Sequence, residues 1–291
     1  MEKNKNKIWL FIAVIALIGF VAVSCDNGDN GNSHTHTPGA AATCTTAQTC
    51  TECSAVIQAA TGHTPGVTAT CNTAQTCTVC DTVIQAATGQ HTWGNWTVTS
   101  TTYPAQSTKT CSCGETDGSP RNTEVGDTGP GGGKIFYVLA EGFTVTGEGL
   151  AHYLEIAPVD QGSLTWSSTN VNVSGTEQTI GNGKANTAAI IAAHSDDTTA
   201  NNAAKAAVAY NGGGKNDWFL PSFRELEKIR ELEFSQLSSH FNISAASRYW
   251  ASSQPSTGGA NNAHSVVSSG SSATDSSAKT TSLRVRAVRT F

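Results

Sequence analysis

Cysteine and histidine recur at a fixed spacing in the N-terminal third of the sequence, and this pairing can bind a transition metal. Two tandem copies with a period of 27 residues carry the pattern His-x7-Cys-x5-Cys-x2-Cys, and a third copy is degenerate. A CxxC pair supplies two thiolates from one tight turn, and a third cysteine with a histidine completes a tetrahedral zinc set. The residues concerned are His36, Cys44, Cys50, Cys53, His63, Cys71, Cys77, Cys80, His91, Cys111 and Cys113.

Two chemistries are open for these cysteines. Outside the cytoplasm thiols tend to oxidise, and the eight cysteines between Cys44 and Cys113 are an even number, so disulfide bonding is the first expectation. Three cysteines in a copy would then require at least one bridge between copies. Structural zinc held by residues 36–113 is the alternative, with each of the first two copies offering one complete set of four ligands.

A ninth cysteine, Cys25, ends a segment that differs from the rest in charge and hydropathy. Three lysines precede residues 8–23, which carry no charge. Such a segment is typical of a secretory signal peptide and is shorter than the roughly 20 residues that cross a bilayer. The residues Ala22, Val23, Ser24 and Cys25 resemble the lipobox of bacterial lipoproteins, with alanine where leucine is common.

The N-terminal segment therefore predicts an exported lipoprotein of the bacterial cell envelope. Residues 1–24 are expected to be removed, and lipid on Cys25 would hold the chain on a membrane outside the cytoplasm. Residues 25–35 have nothing to bury and are predicted to form a flexible spacer. Cysteine-rich repeats over 36–122 and a larger domain over 123–291 would follow.

The larger domain offers few groups arranged for catalysis. Its histidines occur in no HExxH motif and no GxSxG motif is present, so an enzyme is not expected. A glycine-rich turn over 126–133 leads into a predicted strand and not into a helix, which argues against phosphate binding. No complete calcium loop occurs around Asp160 or Asp217, so calcium is not expected as a cofactor.

Three arginines close to the end of the chain are the candidate ligand-binding residues. Arg284 and Arg286 are two apart on a predicted strand and share one face, whereas Arg289 falls on the other face. They could meet an acidic ligand, and pairing with acids inside the fold is the favoured alternative. The polar stretch 253–281, interpreted as loop-like, is a second place for ligand contacts. The net charge of −5 makes nucleic acid an unexpected partner.

Local patterns predict the elements that would position these residues. Alanine-rich segments indicate helices over 185–193 and 203–210. Ser222 and Glu225 form a capping box, so a third helix is predicted to begin there and end near Leu232. Strands are expected at 153–157, 164–166, 249–252, 264–268 and 283–288. The tryptophans of these segments, Trp166, Trp218 and Trp250, are predicted to fill the core.

A series of blocks in fixed order resembles a known family. The blocks are GDTGPGGGKIFYV, YLEIAPVDQGSLTWSS, GNGKANTAAII, NDWFLPSFRELEKI, YWASS and LRVRAVRTF. Residues 124–291 are similar to the Lcl C-terminal domain family, named for the Legionella collagen-like adhesin. The resemblance implies a surface protein that binds sulfated glycans. It also implies an α+β, C-type-lectin-like domain with twisted antiparallel strands and two or three helices, here preceded by small cysteine-rich β repeats.

These observations together predict a membrane-anchored surface lipoprotein with a non-catalytic binding domain. Its expected ligand is a glycan or a component of an extracellular matrix, and lipid on Cys25 is its expected contact with the membrane. A structural or envelope-organising lipoprotein without a ligand of its own is the alternative.

Overall fold

The computed structural model describes residues 35–195, 202–232, 247–268 and 275–291. The chain divides into two compact units, residues 1–90 and 91–291. Cys25 and the predicted signal peptide, residues 1–24, lie outside the described residues. Within the described ranges no helix has both the length and the apolar character needed to cross a membrane.

The first unit contains two small hairpins that repeat the same geometry. In the first copy, strand β1 (Gln48–Thr49) pairs with β2 (Val56–Gln58) in antiparallel fashion. In the second copy, β3 (Gln75–Thr76) pairs with β4 (Val83–Gln85) in the same register. The structural period therefore equals the sequence period.

The turn of each hairpin is a CxxC loop with a characteristic backbone conformation. The residue after the second cysteine of the loop is left-handed, with φ of 59° at Ser54 and 56° at Asp81. This conformation lets the Ser54 N–H donate to the Cys50 carbonyl at 3.0 Å. The glycine of each His-Thr-Pro-Gly segment lies against the hairpin, since a Cβ atom on Gly66 would stand 2.8 Å from the Thr76 carbonyl oxygen.

The first unit lacks an apolar core of the usual kind. Residues 35–90 contain no Phe, Tyr or Trp, and the residues buried in this range are all cysteines. Its valines lie on the surface, with Val67 84% and Val79 70% exposed. The buried cysteines are Cys44, Cys50, Cys71 and Cys77.

The third cysteine copy belongs to the second unit. It contributes strands β5 (Thr97–Val98) and β6 (Gln106–Thr108), and β7 (Arg121–Asn122) completes a three-stranded antiparallel sheet. A hydrogen bond of 2.9 Å from the Ala105 N–H to the Tyr153 hydroxyl oxygen ties this sheet to the domain that follows.

Two further sheets form the body of the second unit. Strands β8 (Lys134–Val145) and β9 (Gly149–Ile156) make a long hairpin, and the last strand of the chain, Val288–Thr290, pairs with β9. The other sheet has five strands, β10 (Ser163–Leu164), β11 (Arg248–Trp250), β12 (Asn262–Val267), β13 (Asp275–Ala278) and β14 (Leu283–Arg284). The strand 288–290 is therefore β15, and the five-stranded sheet has the order β10-β14-β11-β12-β13.

The described helices are α1 (Gly183–Ala193), α2 (Ala203–Ala209) and α3 (Phe223–Leu232). The capping box predicted for α3 is confirmed, because the Ser222 N–H donates to the Glu225 carboxylate at 2.8 Å and the Glu225 N–H donates to the Ser222 hydroxyl at 3.3 Å. Complete burial raises the pKa of Glu225 to about 7, against the opposing effect of its N–H donors. These helices and the mostly antiparallel sheets confirm the α+β class, while the C-type-lectin-like arrangement stays a prediction.

The three tryptophans fill the core, as predicted. Trp166 and Trp250 are fully buried and Trp218 is 2% exposed. Each indole N–H finds a backbone carbonyl, at 2.9 Å for Trp166 to Ala251 and at 2.9 Å for Trp250 to Leu164. Their position in one apolar cluster explains how the domain folds without crosslinks inside that cluster.

The interpretation of residues 253–281 as loop-like is corrected by the structure. The described part of this stretch contains the paired strands β12 and β13, and its polar residues Gln254 and Lys279 are buried. Serines of this stretch lie on paired strands, where their hydroxyls hydrogen-bond to one another, as between Ser265 and Ser277 at 2.9 Å.

Candidate functional site

Four side chains of the first unit meet in a cluster with the composition of a zinc site. The ligand atoms of Cys44, His63, Cys77 and Cys80 all lie within 4.8 Å of one another. The Sγ atoms of Cys44 and Cys77 are 3.8 Å apart, and Nδ1 of His63 is 3.3 Å from Sγ of Cys80. A tetrahedral zinc ion with zinc–sulfur bonds of about 2.3 Å places two sulfurs about 3.8 Å apart.

The cluster does not follow the ligand set that the sequence predicted. Each copy was expected to supply its own histidine and three cysteines, and this is wrong for Cys44. In the first copy His36, Cys50 and Cys53 lie together, with 3.5 Å between His36 Nδ1 and Cys53 Sγ. Cys44 instead lies with the histidine and CxxC pair of the second copy. The reason is topological, because Cys44 precedes β1 whereas the CxxC loop follows it.

Local interactions shift the pKa values of the thiols in this cluster in opposite directions. Burial raises the pKa of Cys77, but hydrogen bonds, the largest from the Val79 N–H group, outweigh this effect and bring the pKa to about 6. The hydroxyl of Thr82 lowers the pKa of Cys80. A hydrogen bond with Cys80 is the largest of the interactions that raise the pKa of Cys44 to about 11. The thiolate form, which binds metal, is therefore favoured on the CxxC pair.

Two of the remaining predicted ligands, Cys71 and Cys113, are disulfide-bonded, which is the bonding that the sequence first predicted. In the first unit, the Cys71 carbonyl accepts from the Gly89 N–H at 2.9 Å, which matches the bond from Gly62 to Cys44 at 3.1 Å. In the second unit, the Cys111 and Cys113 sulfurs are 3.2 Å apart, and His91 Nδ1 is 3.7 Å from Cys113 Sγ. The Cys/His clusters of this chain could thus hold a metal.

The glycine-rich turn of the second unit holds an anion that belongs to the protein itself. The N–H groups of Gly131 and Gly133 donate to the Glu155 carboxylate at 3.0 and 2.7 Å. A Cβ atom on Gly129 would lie 2.4 Å from Cδ of the same side chain, so only glycine fits there. The loop therefore has the anion-binding chemistry that was considered for phosphate, but a buried glutamate occupies it.

Arg289 completes this arrangement and is not available to a ligand. It is 5% exposed, donates to Glu155 at 3.1 Å, and makes two hydrogen bonds of 2.8 Å to Asp217. Burial raises the pKa of Asp217, but these bonds outweigh it and hold the pKa below its ordinary value. Arg289, Glu155 and Asp217 thus link three separated parts of the chain, β15, β9 and the segment before α3.

The other two arginines share one carboxylate. Arg284 donates to Oδ2 of Asp160 at 2.8 Å, and Arg286 donates to Oδ1 at 2.6 Å. Arg286 is 2% exposed, whereas the side chain of Arg284 is 41% exposed. Among the three predicted ligand-binding residues, Arg284 alone presents much of its guanidinium to solvent, and all three pair with acids of the fold.

Sequence reasoning missed two buried polar arrangements. His194 Nε2 lies 2.6 Å from the Ser167 hydroxyl, and its Nδ1 donates to the Ile190 carbonyl at 2.7 Å. The buried Lys279 ammonium donates to the Val171 carbonyl at 2.5 Å and lies 4.4 Å from the Trp166 ring centroid. Burial lowers the pKa of Lys279 to about 8. No local motif marks the contacts of His194 with Ser167 and of Lys279 with Val171, because these partners lie 27 and 108 residues apart.

A surface groove of about 560 Å³ lies between α1, α2 and the segment 216–219. Its volume falls within the range of about 300–1,000 Å³ that is typical of small-molecule sites. The wall is mainly apolar and the rim carries amine, amide and carboxylate groups. The apolar wall includes Ala188, Ile191 and Val208, and the polar rim is formed by Lys184, Asn216 and Asp217.

Comparison with known proteins finds one family match, in the C-terminal part of the chain. Residues 156–289 match the Lcl C-terminal domain, as the resemblance of the sequence blocks predicted. The matched residues include α1, α2, α3 and the five-stranded sheet. No curated protein matches the sequence.

Proposed function

We propose that this protein is a lipid-anchored surface protein of the bacterial envelope whose Lcl C-terminal domain binds a glycan without catalysis. The match of residues 156–289 to that family is the observation that carries the proposal. The predicted signal peptide and the cysteine at position 25 support export and lipid attachment. Growth with a labelled fatty acid tests the anchor, since the chain should take up the label and the Cys25→Ser variant should not.

The groove between α1 and α2 is the proposed place for the sugar. Sugars offer apolar ring faces together with hydroxyls, and the groove combines an apolar wall with hydrogen-bonding groups on Lys184, Asn216 and Asp217. Asp217 keeps its negative charge because Arg289 holds its pKa low, so it can accept hydrogen bonds from hydroxyls. The occupant would be a short saccharide or the end of a longer chain.

The absence of catalysis is supported by how the titratable groups of the second unit are used. The pair Ser167 and His194 has the spacing of a nucleophile and its base, but Ser167 is fully buried and His194 is 4% exposed. Substrate cannot reach a buried hydroxyl, and Ser167 also donates to the Thr169 carbonyl at 2.7 Å. This pair is therefore interpreted as structural.

A glycan array probed with the full chain in detergent tests the binding proposal. The array should contain neutral and sulfated glycans and should be probed with and without calcium. Val208→Glu places a charge on the groove wall and should abolish capture. The matched control is Val159→Glu, an exposed valine outside the groove lining, which should bind like the wild type. No capture of any glycan would contradict the proposal and favour a structural lipoprotein, and capture unaffected by Val208→Glu would contradict the groove.

We also propose that the metal of the cysteine repeats is zinc and that its role is structural. Cys44, Cys77 and Cys80 are free thiols in the first unit, and thiolate with imidazole is the ligand set that zinc prefers. Zinc content of the purified full chain, measured beside a count of reactive thiols, tests this proposal. A zinc-free chain whose cysteines are oxidised would contradict it.

A further inference from the structure

We infer that zinc bound by Cys44, His63, Cys77 and Cys80 joins the first cysteine repeat to the second, so that the metal takes the place of an apolar core between them. The inference rests on the proposed binding of zinc and adds which residues hold it and what the metal does there. The site is assembled from two copies, and neither copy holds four of these ligands.

The ligands come from three places in the fold of the first unit. Cys44 lies in the turn before β1 of the first copy, and His63 begins the second copy. Cys77 and Cys80 flank the CxxC turn between β3 and β4. The ion would therefore connect the turn before β1 of the first copy to the CxxC turn of the second copy. Cys44 and Cys77 are 33 residues apart in the sequence.

The distances fit coordination and not a disulfide. A disulfide bond brings two sulfurs to about 2.05 Å, whereas Cys44 and Cys77 are 3.8 Å apart. That separation equals the edge of a tetrahedral zinc–thiolate site, and His63 supplies the nitrogen through Nδ1, the atom that lies 3.3 Å from Cys80. Binding of Zn²⁺ would displace the remaining thiol protons to solvent, which leaves three thiolates and a neutral imidazole on the metal.

The burial pattern explains why a metal is needed at this junction. In residues 35–90 the buried side chains are those of cysteines, whereas Val56, Val67 and Val83 are more than half exposed. Chains of this size depend on metals, crosslinks or partners when they have little apolar surface to bury. Cys77 is fully buried and Cys44 is 6% exposed, so the sulfurs themselves are the interior of this junction.

The ligand grouping in the first copy agrees with this assignment of Cys44. Its CxxC cysteines, Cys50 and Cys53, lie with its own His36, and Cys44 is not a member of that group. In the first copy the second and third cysteines therefore lie with the histidine of that copy, while the first cysteine lies with ligands of the second copy. This division links the first copy to the second through the metal.

Thiol protection in the zinc-loaded full chain tests the inference without any substitution. The reduced chain is loaded with Zn²⁺, treated with iodoacetamide during slow removal of zinc by a chelator, and analysed by peptide mass spectrometry. Cys44 should become reactive together with Cys77 and Cys80, and separately from Cys50 and Cys53. Release of Cys44 together with Cys50 and Cys53 would overturn the inference while leaving structural zinc in place.

Paired substitutions provide a second, independent test by zinc content. Cys44→Ser combined with His63→Ala removes two ligands of one site, so the double variant should lose no more zinc than either single variant. Cys44→Ser combined with His36→Ala, the matched control, should lose the sum of the two single losses, because the residues serve different sites. The reverse pattern would overturn the inference. A wild-type chain that retains no zinc would overturn both the inference and the proposed zinc function.

Discussion

The two units of this chain reach a folded state by opposite means. Residues 35–90 contain no Phe, Tyr or Trp, and the buried residues of that range are cysteines. In residues 91–291 three tryptophans are buried among aliphatic residues. Apolar burial contributes in proportion to the area removed from water, so the second unit can fold through its core, whereas we propose that the first depends on bonds to sulfur.

The two units also differ in which chemistry they offer. The second unit pairs many of its charged residues internally and has the groove that we propose as the sugar site. The chemistry of the first unit lies in its Cys/His clusters, for which we propose a structural role. Each of the following predictions alters a residue that stabilises one of the two units and leaves the other unit unchanged.

The largest effect is expected from Cys77→Ser, which removes the most buried sulfur of the first unit. With no apolar core to compensate, residues 63–90 should lose their fold and become sensitive to proteolysis. The matched control is Val79→Ala in the same CxxC loop, a residue that is 70% exposed and should behave as the wild type. Limited proteolysis with mass spectrometry gives the result, and a resistant Cys77→Ser variant would show that the sulfur is dispensable.

In the second unit, Trp250→Ala should lower the free energy of unfolding by about 3–5 kcal/mol, because it leaves a cavity at a fully buried site. The control Leu150→Ala changes a side chain that is 65% exposed and should stay within about 0.5 kcal/mol. Denaturant unfolding followed by tryptophan fluorescence measures both, since residues 35–90 contain no tryptophan. Equal effects of the two variants would contradict the core assignment.

Arg289→Met should lower the free energy of unfolding by up to about 3–5 kcal/mol, because it leaves the buried Glu155 without its cation. Lys228→Met breaks an exposed pair with Glu231 and should cost at most about 1 kcal/mol. The same unfolding experiment compares them. If Arg289→Met is tolerated as well as Lys228→Met, the glycine-lined carboxylate does not depend on the arginine.

The smallest effect is a pH dependence from Lys279, whose pKa falls by burial from the ordinary value of 10.5 to about 8. Between these two values the unfolded chain binds a proton that the folded chain does not, so the free energy of unfolding should rise with pH in that window. Replacement by methionine, Lys279→Met, should remove this rise. Unfolding curves of both chains at pH values from about 8 to about 10 measure the difference, and parallel pH profiles would contradict the prediction.

Local patterns were sufficient for much of the second unit. The α+β class, the capping box of α3 and the buried tryptophans follow from periodicity, capping chemistry and side-chain size, which act over a few residues. The glycine-rich turn was correctly assigned to a strand and not to a phosphate loop. Its actual occupant, Glu155, could not be foreseen, because the partner lies 24 residues away from Gly131 in the sequence.

The grouping of the cysteines shows the same limit in the first unit. The sequence identified every ligand type and the period, but it assigned Cys44 to its own copy. Spacing along the chain does not reveal that a short hairpin separates Cys44 from its CxxC loop and directs it towards the following copy. For the three arginines near the end of the chain, pairing with internal acids was the alternative favoured from the sequence. Which acid pairs with which arginine could not be predicted, because the tertiary fold sets the partners.

Hydrogen exchange of the full chain, compared with and without bound zinc in the same solution, tests the central contrast most directly. The account predicts that amides of β1, β2, β3 and β4 lose their protection when zinc is removed, while those of β8, β9 and α3 keep theirs. Protection of the repeat strands that persists in the reduced, metal-free chain would contradict the claim that bonds to sulfur replace an apolar core in the first unit.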